Sequence, residues 1–94
     1  MTEIYQGETL SLNYEFKNKA GAYFDPDTTA VKIINPSGAS VATPTLTKTA
    51  TGKYELNYTL ASDAPIGIWK VFTTAVASTY TEKDLQVFEV IMTL

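Results

Sequence analysis

Leu10, Leu12, Tyr14 and Phe16 alternate with Ser11, Asn13, Glu15 and Lys17 through the stretch LSLNYEFK. Successive side chains of an extended strand point to opposite faces, so this two-residue period makes one face apolar and the other polar. The same period returns where Tyr54, Leu56, Tyr58 and Leu60 are separated by Glu55, Asn57 and Thr59. No segment sustains the 3.6-residue apolar period of an amphipathic helix, and the chain is rich in Thr, Val, Ile and Tyr, which suit a pleated surface. The pattern predicts an all-β fold.

Turn residues divide the chain. NKAG at 18–21 ends the first clear strand, and AYFDPDTT is irregular, with Asp25-Pro26-Asp27 as a turn starter. AVKIIN is a short second strand stopped by Pro36-Ser37-Gly38. A weaker third segment lies around Ser40-Val41 or at 45–49, and Pro44, which has no N–H for a ladder, assigns it to an edge or a bulge. Ala50-Thr51-Gly52 leads into the Tyr54 strand, SDAPIG breaks it, IWKVFTTAV follows, and the last strand spans roughly 84–94. About seven antiparallel strands at spacings near ten residues predict an immunoglobulin-like β-sandwich of two sheets. At 94 residues the chain suits one domain, 1–94. Trp69 is the expected centre of its core, with the turn at 65–67 fixing how the chain reaches that strand.

Composition narrows the chemistry. The net charge is −3, and all seven cations are lysines. Nucleic-acid binding is not expected, because the lysines are scattered and Arg, the usual reader of phosphates and base edges, is absent. Without Cys or His there are no disulfides, thiolate metal sites or imidazole bases. No stretch approaches the roughly 20 apolar residues of a membrane-spanning helix, and MTEIYQGETL lacks the basic and apolar regions of an export signal. If the chain is a whole gene product, it is expected to fold in the cytoplasm of the cell that makes it; a domain cut from a longer secreted protein would look the same.

Candidate reactive groups are few. Catalysis would have to use carboxylates and lysines, yet Asp25, Asp27, Asp63, Asp84 and the glutamates are all expected in turns or on outward strand faces, so no catalytic residue and no cofactor is assigned. Asp25 and Asp27 are close enough in sequence to help bind Ca²⁺, which takes six to eight oxygen ligands, but an Asx-type turn is the commoner use of such a pair, and no metal ligand is assigned. Tyr5, Tyr23, Phe24 and Tyr80 lie in less regular regions where a sugar ring could stack; packing beneath loops is the alternative.

Some apolar residues have no place in a core. If Trp69 and Val71 face inward, Ile68, Lys70 and Phe72 face outward, and the last strand splits in the same way between Phe88, Val90 and Met92 and Val87, Glu89 and Ile91. As hairpin partners the two strands would set Ile68, Phe72, Val87 and Ile91 on one outer face. An apolar patch of several hundred Å² is unusual on a free monomer and marks a protein interface. The alternatives are that AYFDPDTT or the N-terminal arm folds over this face, or that a bulge switches the register.

The order of features, Gly7-Glu8-Thr9 leading an alternating strand, NKAG, Asp25 to Thr29, VKIINPSG, TGKYELNYTL, IGIWKV and a closing VFEV, resembles a family pattern over almost the whole chain. It is similar to the immunoglobulin-like modules of bacterial surface proteins and macroglobulin-type domains, and more closely to small stand-alone proteins in the virions of tailed bacteriophages and archaeal viruses. The resemblance implies a non-enzymatic structural role: a head, neck, tail or decoration protein that docks to capsid or tail proteins or to itself, located in the virion and assembled in the host cytoplasm. Its alternative is a module of an extracellular or cell-surface protein engaged in adhesion or carbohydrate binding. Lys70 departs from the pattern, since Arg is frequent near the Trp strand of similar modules.

Overall fold

The computed structural model describes residues 2–77 and 80–92, so Leu94, which the sequence assigns to the last strand, lies outside the described residues. Among the described residues eight strands form two stacked sheets: β1 (Thr2–Tyr5), β2 (Thr9–Glu15), β3 (Thr28–Ile34), β4 (Ser40–Ala42), β5 (Thr47–Ala50), β6 (Lys53–Thr59), β7 (Gly67–Ala77) and β8 (Tyr80–Ile91). The larger sheet runs β1-β8-β7-β3-β4 and the smaller β2-β6-β5.

Four elements differ from the sequence reading. The N-terminal arm is a strand, and β1 lies parallel to β8 with buried Ile4 beside Val90. Four residues with one inward apolar side chain are too few to show a period. The weak third segment is two strands: β4 pairs with β3 in the larger sheet and β5 with β6 in the smaller. Pro44 stands where the chain passes between sheets, and its missing donor costs no ladder bond there. Thr28 and Thr29, read as irregular, open β3 opposite Val76 and Ala75. The last strand begins at Tyr80 rather than at 84, a start that the pattern hides because residues 81–84 are polar on both faces.

The inner rows follow the period-two pattern. Leu10, Leu12 and Tyr14 of β2 stand opposite Tyr58, Leu56 and Tyr54 of β6, which places both alternating strands with their apolar sides toward the larger sheet. From that sheet β7 contributes Trp69, Val71, Thr73 and Ala75, all buried. Trp69 is 3% exposed and faces its cross-strand partner Phe88, the ring centroids 5.9 Å apart. The indole N–H, its one polar group, donates to the Pro65 carbonyl at 2.8 Å, so the turn that precedes β7 also satisfies its largest side chain. Gly67 enters the strand at φ +135°, and a Cβ there would stand 3.1 Å from the Pro36 ring.

Trp69→Ala is expected to lower the unfolding free energy by about 3–5 kcal/mol, the usual range for emptying a large aromatic site in a core. Urea unfolding followed by circular dichroism measures this, since the substitution removes the only Trp.

Candidate functional site

Three regions carry the groups singled out from the sequence. The first surrounds Asp25. Its carboxylate accepts the Gly52 N–H at 2.8 Å, the Lys48 ammonium at 2.6 Å and the Tyr54 hydroxyl at 3.2 Å. The Gly52 amide and then Lys48 hold the Asp25 carboxyl below its ordinary range. Burial and the same carboxylate push the Tyr54 phenol up, and Asp25 likewise raises Lys48. The Asp25 oxygens therefore tie loop 18–27 to β5 and β6. Asp63 and Asp84 do not join Asp25 and Asp27, and among the described residues no group of three or more acidic side chains is placed to hold a metal ion. Gly52 is fixed at φ +71°, where a Cβ would come within 2.8 Å of the Phe16 carbonyl oxygen and 2.9 Å of the Phe24 nitrogen. Lys17 and Lys53 each stand 5.0 Å from the Tyr23 ring, whose hydroxyl donates to Glu15 at 3.0 Å. Tyr23 is thus part of this loop anchor, and Phe24 packs against the core.

The second region is a cleft of about 490 Å³ between β2 and the far half of the β7–β8 hairpin. Here the structure corrects the sequence reading, which placed every carboxylate in a turn or on an outward face. Asp84 pairs with Thr73 and Glu82 with Ala75, so both lie on the inner side of the sheet. The smaller sheet covers β7 at this level and leaves Glu82 and Asp84 exposed. At the cleft's floor the Thr73 hydroxyl donates to the Tyr14 hydroxyl at 3.0 Å. Burial raises the Tyr14 pKa, the Thr73 bond opposes that, and the negative charge of Asp84 adds to it. Gln86 donates to Asp84 at 3.0 Å. The two hydroxyls at the floor bond to each other, an arrangement that seals the end of the core.

The third region is the outer face of the larger sheet. The β7–β8 register runs without a shift from Gly67 opposite Val90 to Ala77 opposite Tyr80. It sets Phe72 beside Leu85, Lys70 beside Val87 and Ile68 beside Glu89, while Ile91 stands beside Tyr5 of β1. Ile68, Phe72, Val87 and Ile91 therefore share one face, and the register switch considered from the sequence does not occur. Nor is the face covered by the N-terminal arm, which extends the sheet as β1, or by loop 18–27, which is tied to the smaller sheet. Ile68 is 41% exposed and Leu85 50%. Leu85, Val76 and Tyr5 are exposed members of this face that the sequence reading left out. Leu85 lies within the strand read from the sequence, and carrying the odd-numbered row of Val87, Glu89 and Ile91 one step back would have found it. Tyr80 opens β8, and its side chain lies outside the description.

No protein-family model and no curated protein matches the sequence. Among solved structures, the crystal structure of Salmonella alpha-2-macroglobulin reacted with methylamine matches with a TM-score of 0.76 and 24% identity, over 98% of this chain and 6% of that chain. The fold is an immunoglobulin-like β-sandwich. The chain thus spans a small fraction of the solved protein it resembles.

Asp25 and Lys48 give the anchor a pH signature. A carboxyl held low in the folded state contributes stability that is complete above its unfolded value, about 3.9, and is lost as the pH falls through the folded value. Lys48, held high, contributes fully below its unfolded value of about 10.4 and loses that contribution as the pH rises through its folded value. Asp25→Asn is therefore expected to melt below the parent chain at neutral pH, with the gap closing below about pH 4 as the parent loses its advantage. Thermal melts across that range measure it. Gly52→Ala is expected to cost about 1–3 kcal/mol from the left-handed backbone alone, with the two backbone clashes in addition, as read by urea unfolding.

Proposed function

We propose that this chain is a non-enzymatic structural module that docks to another protein through the outer face of its five-stranded sheet. The observation that carries the reading is the apolar group of exposed Ile68 and Leu85 with half-buried Phe72 and Val87, on a face that neither the N-terminal arm nor loop 18–27 covers. A solvated sheet face is ordinarily polar, and a contiguous apolar one is the mark of a surface that meets a partner. A non-catalytic role is supported by what the candidate groups already do. Asp25 is engaged by three donors, and Thr73 and Tyr14 bond to each other. Neither arrangement pairs a nucleophile with a base.

In its finer form the reading is a virion accessory protein, in the head, neck or tail or as a decoration, assembled in a host cytoplasm and held by capsid or tail proteins. The support for this setting is the sequence resemblance. The second setting is a module of a larger cell-surface protein; the solved structure supports only its fold, in a match that covers 6% of a much longer chain. In both, partner contact through protein surface is the mode of action, with no nucleic acid, membrane or cofactor involved.

The test is to produce the chain together with the proteins encoded beside it and follow its assembly. The parent chain is expected to co-purify in a defined complex. Ile68→Lys with Phe72→Ser is expected to leave that complex while circular dichroism and melting temperature stay near those of the parent. Leu85→Lys, at a half-exposed position, serves as the second variant. Retention of a folded double variant, or of Leu85→Lys, in the complex would overturn the reading.

A further inference from the structure

The outer row of β8 reads Lys83, Leu85, Val87, Glu89, with a cation at one end, an anion at the other and two apolar side chains between. Its midpoint lies between Leu85 and Val87, and Lys83 and Glu89 are equally far from it. β1 and β3 repeat the asymmetry, with Glu3 beside Glu89 and Lys32 beside Phe72 at the level of Leu85, whereas Lys70 of β7 stands nearer the midpoint, beside Val87. Among the described residues the one ion pair is Lys48 with Asp25, so none of Lys32, Lys70, Lys83, Glu3 and Glu89 has its charge matched by another described residue. A surface with opposite charges at equal distances from an apolar centre is complementary to itself.

We propose that this face is closed by a second copy of the chain, in a two-fold pair whose axis crosses the strands between Leu85 and Val87. The operation sets Leu85 of each copy on Val87 of the other, Phe72 over the stem of Lys70, and Glu89 opposite Lys83. Each contact occurs twice, as an isologous interface requires. An axis in this direction leaves the two sheets free to adopt the aligned crossing of about −30° that stacked sheets favour. With strands about 4.8 Å apart and a rise of about 3.3 Å per residue, β8, β7 and the end of β3 overlap their rotated copies over roughly 360 Å² of plane, while β1 lies outside the overlap. That is less than each partner buries in a stable complex, so the pair is expected to be weak, in the high-micromolar range. The unmatched charges at the two ends set the register and exclude the unrotated arrangement, where like charges would meet.

This inference rests on the docking reading and names its partner. It is tested by sedimentation equilibrium of the purified chain alone, from about 10 μM to about 1 mM, the range that so small an interface demands. The parent chain is expected to show monomer–dimer exchange. Glu89→Lys places Lys against Lys83 in both contacts, and Lys83→Glu places Glu against Glu89, so each variant alone is expected to dimerise at least about tenfold more weakly. An equimolar mixture of the two is expected to recover a heterodimer, because both of its charged contacts are then attractive. A loss of folding in either variant cannot produce that recovery. A parent chain that stays monomeric throughout, single variants that dimerise like the parent, or a mixture no tighter than its components would overturn the proposal. If the parent is monomeric while Ile68→Lys with Phe72→Ser is still lost from the larger complex, the face docks a different protein and only the self-pairing fails.

Discussion

Burying the Trp69 indole commits the rest of β7. The strand alternates strictly, so with Trp69, Val71, Thr73 and Ala75 against the smaller sheet, Ile68, Lys70, Phe72 and Thr74 must face away from it. A one-residue slip would exchange the two sets and expose the indole, which is stacked on Phe88 and bonded to the Pro65 carbonyl. The uninterrupted pairing with β8 carries the same division across the hairpin. The apolar outer face is therefore a consequence of the same register that closes the core. Its composition is a separate choice, since Thr, Ser or Lys at those outward positions would have satisfied the fold equally well.

One end of the sandwich is closed by two different means. Near Asp25, one carboxylate gathers a backbone amide, an ammonium and a phenol, and Gly52 lets the β5–β6 turn approach the Phe16 and Phe24 backbones where any side chain would collide. At the opposite side of β2, Thr73 and Tyr14 satisfy each other at the edge of the core. Among the described residues no buried side-chain nitrogen or oxygen lacks a partner. Polar groups that look reactive in the sequence are thus spent on closing the structure, which fits a molecule that works by its exterior.

Much of the sandwich was legible because β2, β6 and β7 carry long apolar alternations, and their inner rows lie where the period places them. The outer row of Ile68, Phe72, Val87 and Ile91 was legible for the same reason. β1 was hidden by its length, since four residues cannot display a period, and for the same reason the short β4 and β5 were read as one weak segment. The start of β8 was hidden by chemistry. Glu82 and Asp84 lie on the inner side of a sheet but beyond the reach of the smaller sheet, so the usual link between inward and apolar fails there. Leu85 lay within the strand as read, but its place on the outer row was missed because Asp84, beside it at the start of that reading, gave no alternation to continue. The role of Asp25 depended on Lys48, Gly52 and Tyr54 arriving from distant parts of the chain, which spacing in sequence does not encode.

The central claim is that the chain acts through the outer face of its larger sheet, and hydroxyl-radical footprinting of side chains, free and assembled, tests it most directly. Assembly should protect Ile68, Phe72 and Leu85 while leaving Tyr23, at the loop anchor, as reactive as in the free chain. Protection of Tyr23 or of the cleft residues, with Ile68, Phe72 and Leu85 unchanged, would contradict it.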